Sequence, residues 1–197
     1  MRQLILKDFI MQWKFLIWHM LYPLFLYMTL VDIKSFYVIM SAIIPVIAIL
    51  KTFNDDKKYD SEVMLNSLPL AKKEIVVAKY IMALIVFVIS MIVSSPVGII
   101  HFTGGVFEFI TTTLVTITGF VFIYLSLVLP ISFWLGYKKS VFITFFILIA
   151  PTAIGTMFFE INMEQIQLYN SLLFGSSIFV LIVSVFVSIK LYEKREF

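Results

Sequence analysis

The stretch Ile75–Ile100, IVVAKYIMALIVFVISMIVSSPVGII, decides the fold class: its 26 residues carry a single charge, Lys79. A helix needs about 20 apolar residues to cross a hydrocarbon core about 30 Å thick, whereas a membrane strand needs only about 9–11 residues of alternating polarity. The Ile, Val and Phe content would suit a buried strand, but the unbroken length predicts a helix. Five more segments of this kind surround it, near Leu16–Val31, Ser35–Leu50, Phe109–Leu135, Ser140–Phe159 and Ser171–Ile189. The expectation is an all-α polytopic membrane protein with six transmembrane helices, forming one membrane domain over residues 1–197.

Composition supports this reading. The chain is 61% hydrophobic and 14% charged, against about 45–50% apolar and about 25% charged in soluble domains. A soluble fold of this size leaves too much surface exposed to hide that much apolar matter. There is no cysteine, which excludes disulfides and thiolate chemistry.

The basic residues set the orientation. If both termini are cytoplasmic, 14 of the 15 Lys and Arg residues fall on the inner side, and only Lys34 falls outside. Asp32, Glu108, Glu160 and Glu164 occupy the outer loops. Cationic loops stay inside during insertion, so the net charge of +3 is a topology signal and no nucleic-acid partner is expected. The protein is placed in the cell (inner, cytoplasmic) membrane as a multi-pass chain.

Residues 1–15 lack the pattern of a cleavable signal. They read as an interfacial amphipathic helix, with Ile5, Phe9 and Trp13 along one stripe and Lys7 and Lys14 reaching headgroups. The alternative is an early start to the first span. Pro23, Pro45, Pro96, Pro130 and Pro151 fall in or near spans. Each frees a backbone carbonyl that a neighbouring helix must satisfy; they set shape, with a moving hinge as the alternative.

Catalytic chemistry is sparse. No HExxH and no GxxxxGK[ST] occurs. His19 and His101 lie toward opposite membrane faces and cannot share a metal. Lys79 is expected to snorkel from the inner end of its span. Gly175-Ser176-Ser177 reads as a close-packing patch.

One hydrophilic segment is substantial, about Lys51–Glu74, and it faces the cytoplasm. Asn54-Asp55-Asp56-Lys57-Lys58 reads as a polar connection. Asp60 or Ser61 caps a short helix with Glu62 in its first turn. Leu68 and Pro69 form a corner, and Pro69 suits the start of the next helix, which runs into the span at Ile75. Such a segment either passes a push from a cytoplasmic partner into the bilayer or simply folds back on the inner leaflet.

The run from Ser61 to Tyr80, SEVMLNSLPLAKKEIVVAKY, resembles the signature loop of small type-2 permeases of ABC transporters. It is most similar to the compact bacterial branch that includes bacteriocin-immunity permeases and exporters of phenol-soluble modulins. The shared elements are Leu65-Asn66-Ser67-Leu68-Pro69, the pair Lys72-Lys73, Glu74-Ile75, and Lys79. The resemblance implies a coupling helix at Asp60–Asn66 that docks into a separate ABC ATPase subunit. The docking residues would be Asp60, Glu62, Val63, Leu65, Asn66 and Ser67, and Lys72 and Lys73 would hold headgroups. It also implies a second permease subunit, identical or related. No catalytic residue carries over, so the chain is not expected to be an enzyme. It would bind no cofactor, with ATP and Mg held by the partner. The expected cargo is an amphipathic or hydrophobic peptide of toxin or antimicrobial type. The rivals are an intramembrane protease or lipid-modifying enzyme, and a non-transporting peptide-immunity membrane protein.

Overall fold

The structure is a computed structural model; it describes residues 2–27, 33–59, 61, 64–65, 71–101, 114–158 and 170–195. Among these residues there are six helices and no strand: α1 Arg2–Tyr27, α2 Ile33–Lys58, α3 Lys72–His101, α4 Val115–Leu135, α5 Tyr137–Phe158 and α6 Asn170–Glu193. Among the described residues, three helical stretches are long and apolar enough to cross a membrane, Lys72–Val93, Val115–Leu135 and Leu172–Glu193. The expected spans at Leu16–Val31, Ser35–Leu50 and Ser140–Phe159 lie partly outside the described residues or side chains. The same holds for His19, His101 and the outer-loop acids.

α4 and α6 form the most extensive pairing, followed by α2 with α3. Gly119 on α4 allows the first pairing, because a Cβ there would overlap the Leu173 side chain on α6. Of the expected close-packing patch Gly175-Ser176-Ser177, only Ser177 is buried; a Cβ at Gly175 would find nothing within 4 Å, so among the described glycines it is Gly119 that permits close helix approach. The main core joins Ile49 and Phe53 of α2, Val76, Ala83 and Phe87 of α3, Val121, Leu125 and Phe133 of α4, and Tyr192 of α6. Phe133 meets Phe53 and Tyr192 edge-on, with centroids 5.1 and 5.3 Å apart, the geometry that the ring quadrupoles favour. α5 lies at the flank, with Phe142, Phe145 and Phe146 exposed.

Two expected boundaries move. α1 continues through residue 15 without a break. Its 26 residues at about 1.5 Å per residue make about 39 Å, longer than a hydrocarbon core of about 30 Å. Its buried stripe is Leu4, Asp8, Gln12 and Leu16, while Trp13 of the expected apolar stripe is exposed together with Leu6 and Ile10. The inward turn of Asp8 and Gln12 follows from the partners they find, described below.

The second shift concerns residues 51–58, which continue α2 and are not a loop. Lys51 pairs with Asp55 one turn on, at 3.3 Å, and the Thr52 hydroxyl donates to the Ala48 carbonyl at 3.0 Å. Lys57 and Lys58 sit in the last turn, where cations complement the helix dipole. The connection to α3 therefore begins at Tyr59, and α3 opens with the Glu74 amide donating to the Ala71 carbonyl at 2.8 Å.

Pro130 interrupts α4 and leaves the Ser126 carbonyl without its helical donor. The Ser184 hydroxyl of α6 donates to that carbonyl at 2.7 Å. Ser184 has one hydroxyl proton and spends it there, so the Tyr80 hydroxyl donates to Ser184 across 2.6 Å. The Tyr80 oxygen is then the acceptor for the Ser188 hydroxyl at 2.8 Å. A directed chain thus runs from α6 to α3, back to α6 and on to α4.

The helix ends near Phe133, Tyr192 and Lys72 are tied together by cations. Lys72 donates to the Glu193 and Arg195 carbonyls at 3.2 and 3.3 Å. Arg195 donates to the Phe133 carbonyl at 3.3 Å. Gly136 ends α4 with φ 71° and ψ 174°, a backbone region essentially reserved for glycine.

Candidate functional site

The distinctive chemistry lies where the start of α1, the end of α2 and the start of α3 meet. Four charges close into a ring there. Lys7 stands 3.3 Å from Asp8 Oδ1 and 2.7 Å from Asp56 Oδ1. Lys79 stands 2.9 Å from Asp8 Oδ2 and also pairs with Asp56 Oδ2. Each carboxylate gives one oxygen to each ammonium, and the signs alternate. The approach of Lys7 to Asp8 is an ion pair without hydrogen-bond alignment, and Asp8 Oδ1 has no hydrogen-bond partner.

Three of the ring's four members are shielded from water, and Lys7 is part-exposed at its edge. Asp8, Asp56 and Lys79 are each 3% exposed. Lys79 therefore does not snorkel, contrary to the sequence expectation. Its ammonium also lies 5.5 Å from the centre of the Phe53 ring, a favourable cation–π distance. Burial alone would raise the Asp56 pKa, but the charges of Lys79 and Lys7 outweigh it and hold the carboxyl below its ordinary 3.8. Burial alone would lower the Lys7 pKa, but Asp56 and Asp8 outweigh it and raise the ammonium above 10.5. Two positive and two negative charges leave no net charge to bury, which limits the desolvation cost that a lone ion would incur.

One turn further along α1, the Gln12 amide donates to the Ala48 carbonyl at 2.9 Å and to the Thr52 hydroxyl. Gln12 thus sets the register of α1 on α2, and Asp8 ties the same face of α1 to Lys79 of α3. This explains why two polar residues replace apolar ones in a stripe whose ends are Leu4 and Leu16.

Among the described residues of the interhelical connection, Ser61 is buried and helical, and Met64 and Leu65 are helical. Leu65 turns inward into the core with Leu4 and Ile75. Leu65, Leu4, Ile75 and Ala78 line a small recess against Lys7, Asp8 and Lys79 of the ring. Tyr59 and Met64 face outward, 61% and 56% exposed.

The residues expected at this site divide accordingly. Leu65 contacts the bundle interior. Asp60, Glu62, Val63, Asn66, Ser67, Leu68 and Pro69 lie outside the described residues. Lys7 and Lys72, expected at headgroups, have their ammonium groups on protein partners. Lys14 and Lys73 are exposed. Sequence reasoning missed Asp8, Gln12 and Asp56. The available signal was the spacing of four that aligns Asp8 and Gln12 with Leu4 and Leu16, together with one cation, Lys79, inside an apolar span.

No group of three or more His, Cys, Asp or Glu residues that could hold a metal occurs among the described residues. The four paired charges tie α1, α2 and α3 to one another.

Comparison with curated proteins and with solved structures finds no match. A family model described as ABC-2 family transporter protein matches residues 3–193. That match covers all six helices and includes the ring and the interhelical connection. The chain therefore belongs to the ABC-2 transporter family, as a multi-pass membrane permease subunit that works with an ABC ATPase.

Proposed function

We propose that this permease exports amphipathic or hydrophobic peptides, driven by a separate ATPase that binds ATP and Mg and docks on the connection between α2 and α3. The family match across residues 3–193 carries the permease and ATPase part of this reading; the peptide cargo and the docking face extend it from the resemblance of Ser61–Tyr80. Exposed Tyr59 and Met64 support an outward docking face, while inward Leu65 joins that face to the bundle. Asp60, Glu62, Val63, Asn66 and Ser67 complete the coupling helix in this reading, with Leu68 and Pro69 as its corner. The connection faces the cytoplasm, as do both termini, and six spans cross the inner membrane. A second permease subunit, identical or related, completes the pathway. Lys14 and Lys73 meet headgroups.

Co-purification tests the reading. The full chain should retain its ATPase from detergent-solubilised membranes. Replacing Glu62, Met64 and Asn66 with alanine should abolish retention while membrane insertion persists. Undiminished retention would remove the docking assignment. Cargo is tested in vesicles loaded with the ATPase complex: ATP-dependent uptake of an amphipathic peptide supports the reading, and binding without uptake refutes export. The cysteine-free sequence makes sidedness directly measurable. Single cysteines at Asp60 and Glu164 should label from opposite faces.

A further inference from the structure

We propose that Lys7 and Asp8 are positioning residues of the transport cycle, delivering a displacement of the α2–α3 connection into α1. The proposal rests on the docking role given to that connection above. Asp56 lies shortly before the connection and Lys79 shortly after it, yet they pair directly. The base of the connection is therefore closed, and a force on it is not dissipated by spreading α2 from α3. It passes to whatever else the base holds.

What the base holds is α1. Lys7 and Asp8 are consecutive residues, and each binds both a group of the other helices and its own neighbour in the ring. The connection also touches α1 without charge, because Leu65 and Leu4 line the same recess. Among the described residues, the extensive contacts of α1 are with α2 and α3. Its other side leaves Leu6, Ile10, Trp13 and Ile17 exposed, with no described helix resisting its movement. The ring is also stiff, since three of its charges are buried and losing a partner strands an ion in a dry site. Stiff attachment on one side and freedom on the other make α1 the element that a push on the connection would move.

The test uses the full chain with its ATPase in inverted membrane vesicles. Lys14→Cys supplies the permease's sole thiol, on an exposed position of α1, and Tyr59→Cys supplies a separate reporter on the connection. Labelling by a water-soluble maleimide is compared without nucleotide and after trapping with ATP and vanadate. In the parent, both reporters should change rate on trapping. In Lys7→Met/Asp8→Asn, which leaves Asp56 paired with Lys79, the Tyr59→Cys response should persist and the Lys14→Cys response should be lost. Lys7→Arg should retain both. An unaltered Lys14→Cys response in the double variant, or none in the parent, overturns the proposal. If the double variant fails to insert, Lys7→Gln must weaken the response, and an unchanged response there overturns the proposal equally. Failure of the parent to retain its ATPase would remove the docking reading itself, and this proposal with it. Retention with an α1 reporter insensitive to nucleotide removes the proposal alone.

Discussion

Lys79 and Tyr80 are neighbours on α3, yet they bind opposite groups of helices. The Lys79 ammonium reaches Asp8 of α1 at 2.9 Å, and the Tyr80 hydroxyl reaches Ser184 of α6 at 2.6 Å. Successive helical side chains diverge by about 100°, so two adjacent residues serve two faces. α3 therefore joins the ring of α1 and α2 to the hydroxyl chain of α6 and α4.

The ring predicts an unusual result for charge exchange. Were Asp56 and Lys79 an isolated pair, Asp56→Lys with Lys79→Asp would restore it. In a closed alternating ring the exchange puts like charges together, Lys7 with the new lysine and Asp8 with the new aspartate. The double variant should stay destabilised, while reversing all four positions should recover stability. Lys79→Met alone should cost about 3–5 kcal/mol, the usual penalty for breaking a buried pair. Thermal unfolding of the detergent-solubilised chain, followed by size-exclusion fluorescence, reads all three.

The hydroxyl chain predicts a specific coupling. Ser184→Ala should cost about 1–3 kcal/mol, because it strands the Ser126 carbonyl below Pro130. Pro130→Ala restores a backbone N–H for that carbonyl. In that background the cost of Ser184→Ala should shrink toward the loss of the Tyr80 bond alone. A double-mutant cycle on unfolding midpoints checks it; additive effects would contradict the repair.

Stability should be flat through neutral pH. The Asp56 pKa is depressed below 3.8, so its stabilisation is fully present above that value and is lost as pH falls through the folded value. The Lys7 pKa is raised above 10.5, so its stabilisation is fully present below that value and is lost as pH rises through the folded value. An unfolding-midpoint profile for the parent, compared with Lys7→Met/Asp56→Asn, should differ least at the two extremes. A step between those limits that disappears in the double variant would contradict the ring.

Gly136 and Gly175 should respond oppositely to alanine. Gly136 adopts φ 71° and has an Arg195 nitrogen 3.2 Å from where a Cβ would sit. Gly136→Ala should cost about 1–3 kcal/mol through backbone strain. Gly175 has open space around it, and Gly175→Ala should be neutral or slightly stabilising through helix propensity. Unfolding midpoints of the two single variants separate these outcomes.

The helical class was legible because long apolar runs leave few alternatives, as Ile75–Ile100 illustrates. Family membership was legible from the segment around Leu65–Pro69, where an unusual run of residue types survives intact. The ring was not legible. Asp8, Asp56 and Lys79 lie far apart in sequence, and each taken singly looks like a solvated or interfacial charge. Only the mutual approach of three helices turns them inward. The extension of α2 through Lys58 was hidden for a related reason. A polar run with two aspartates and two lysines reads as a loop until its buried face, Thr52, Phe53 and Asp56, has something to meet. Pro130 was an intermediate case. The sequence required some donor for its freed carbonyl, but could not name Ser184.

The internal use of cations changes what the folded protein presents to lipid. On the proposed topology, the fourteen basic residues assigned to the inner side are available to the insertion machinery while the chain is being threaded. After folding, Lys7, Lys79, Lys72 and Arg195 have turned to carboxylates and carbonyl groups. The lysines left outward are Lys14, Lys57, Lys58, Lys73, Lys138, Lys139, Lys190 and Lys194. Depleting a host bilayer of phosphatidylglycerol and cardiolipin should consequently disturb the topology of newly made chains more than it disturbs those already assembled.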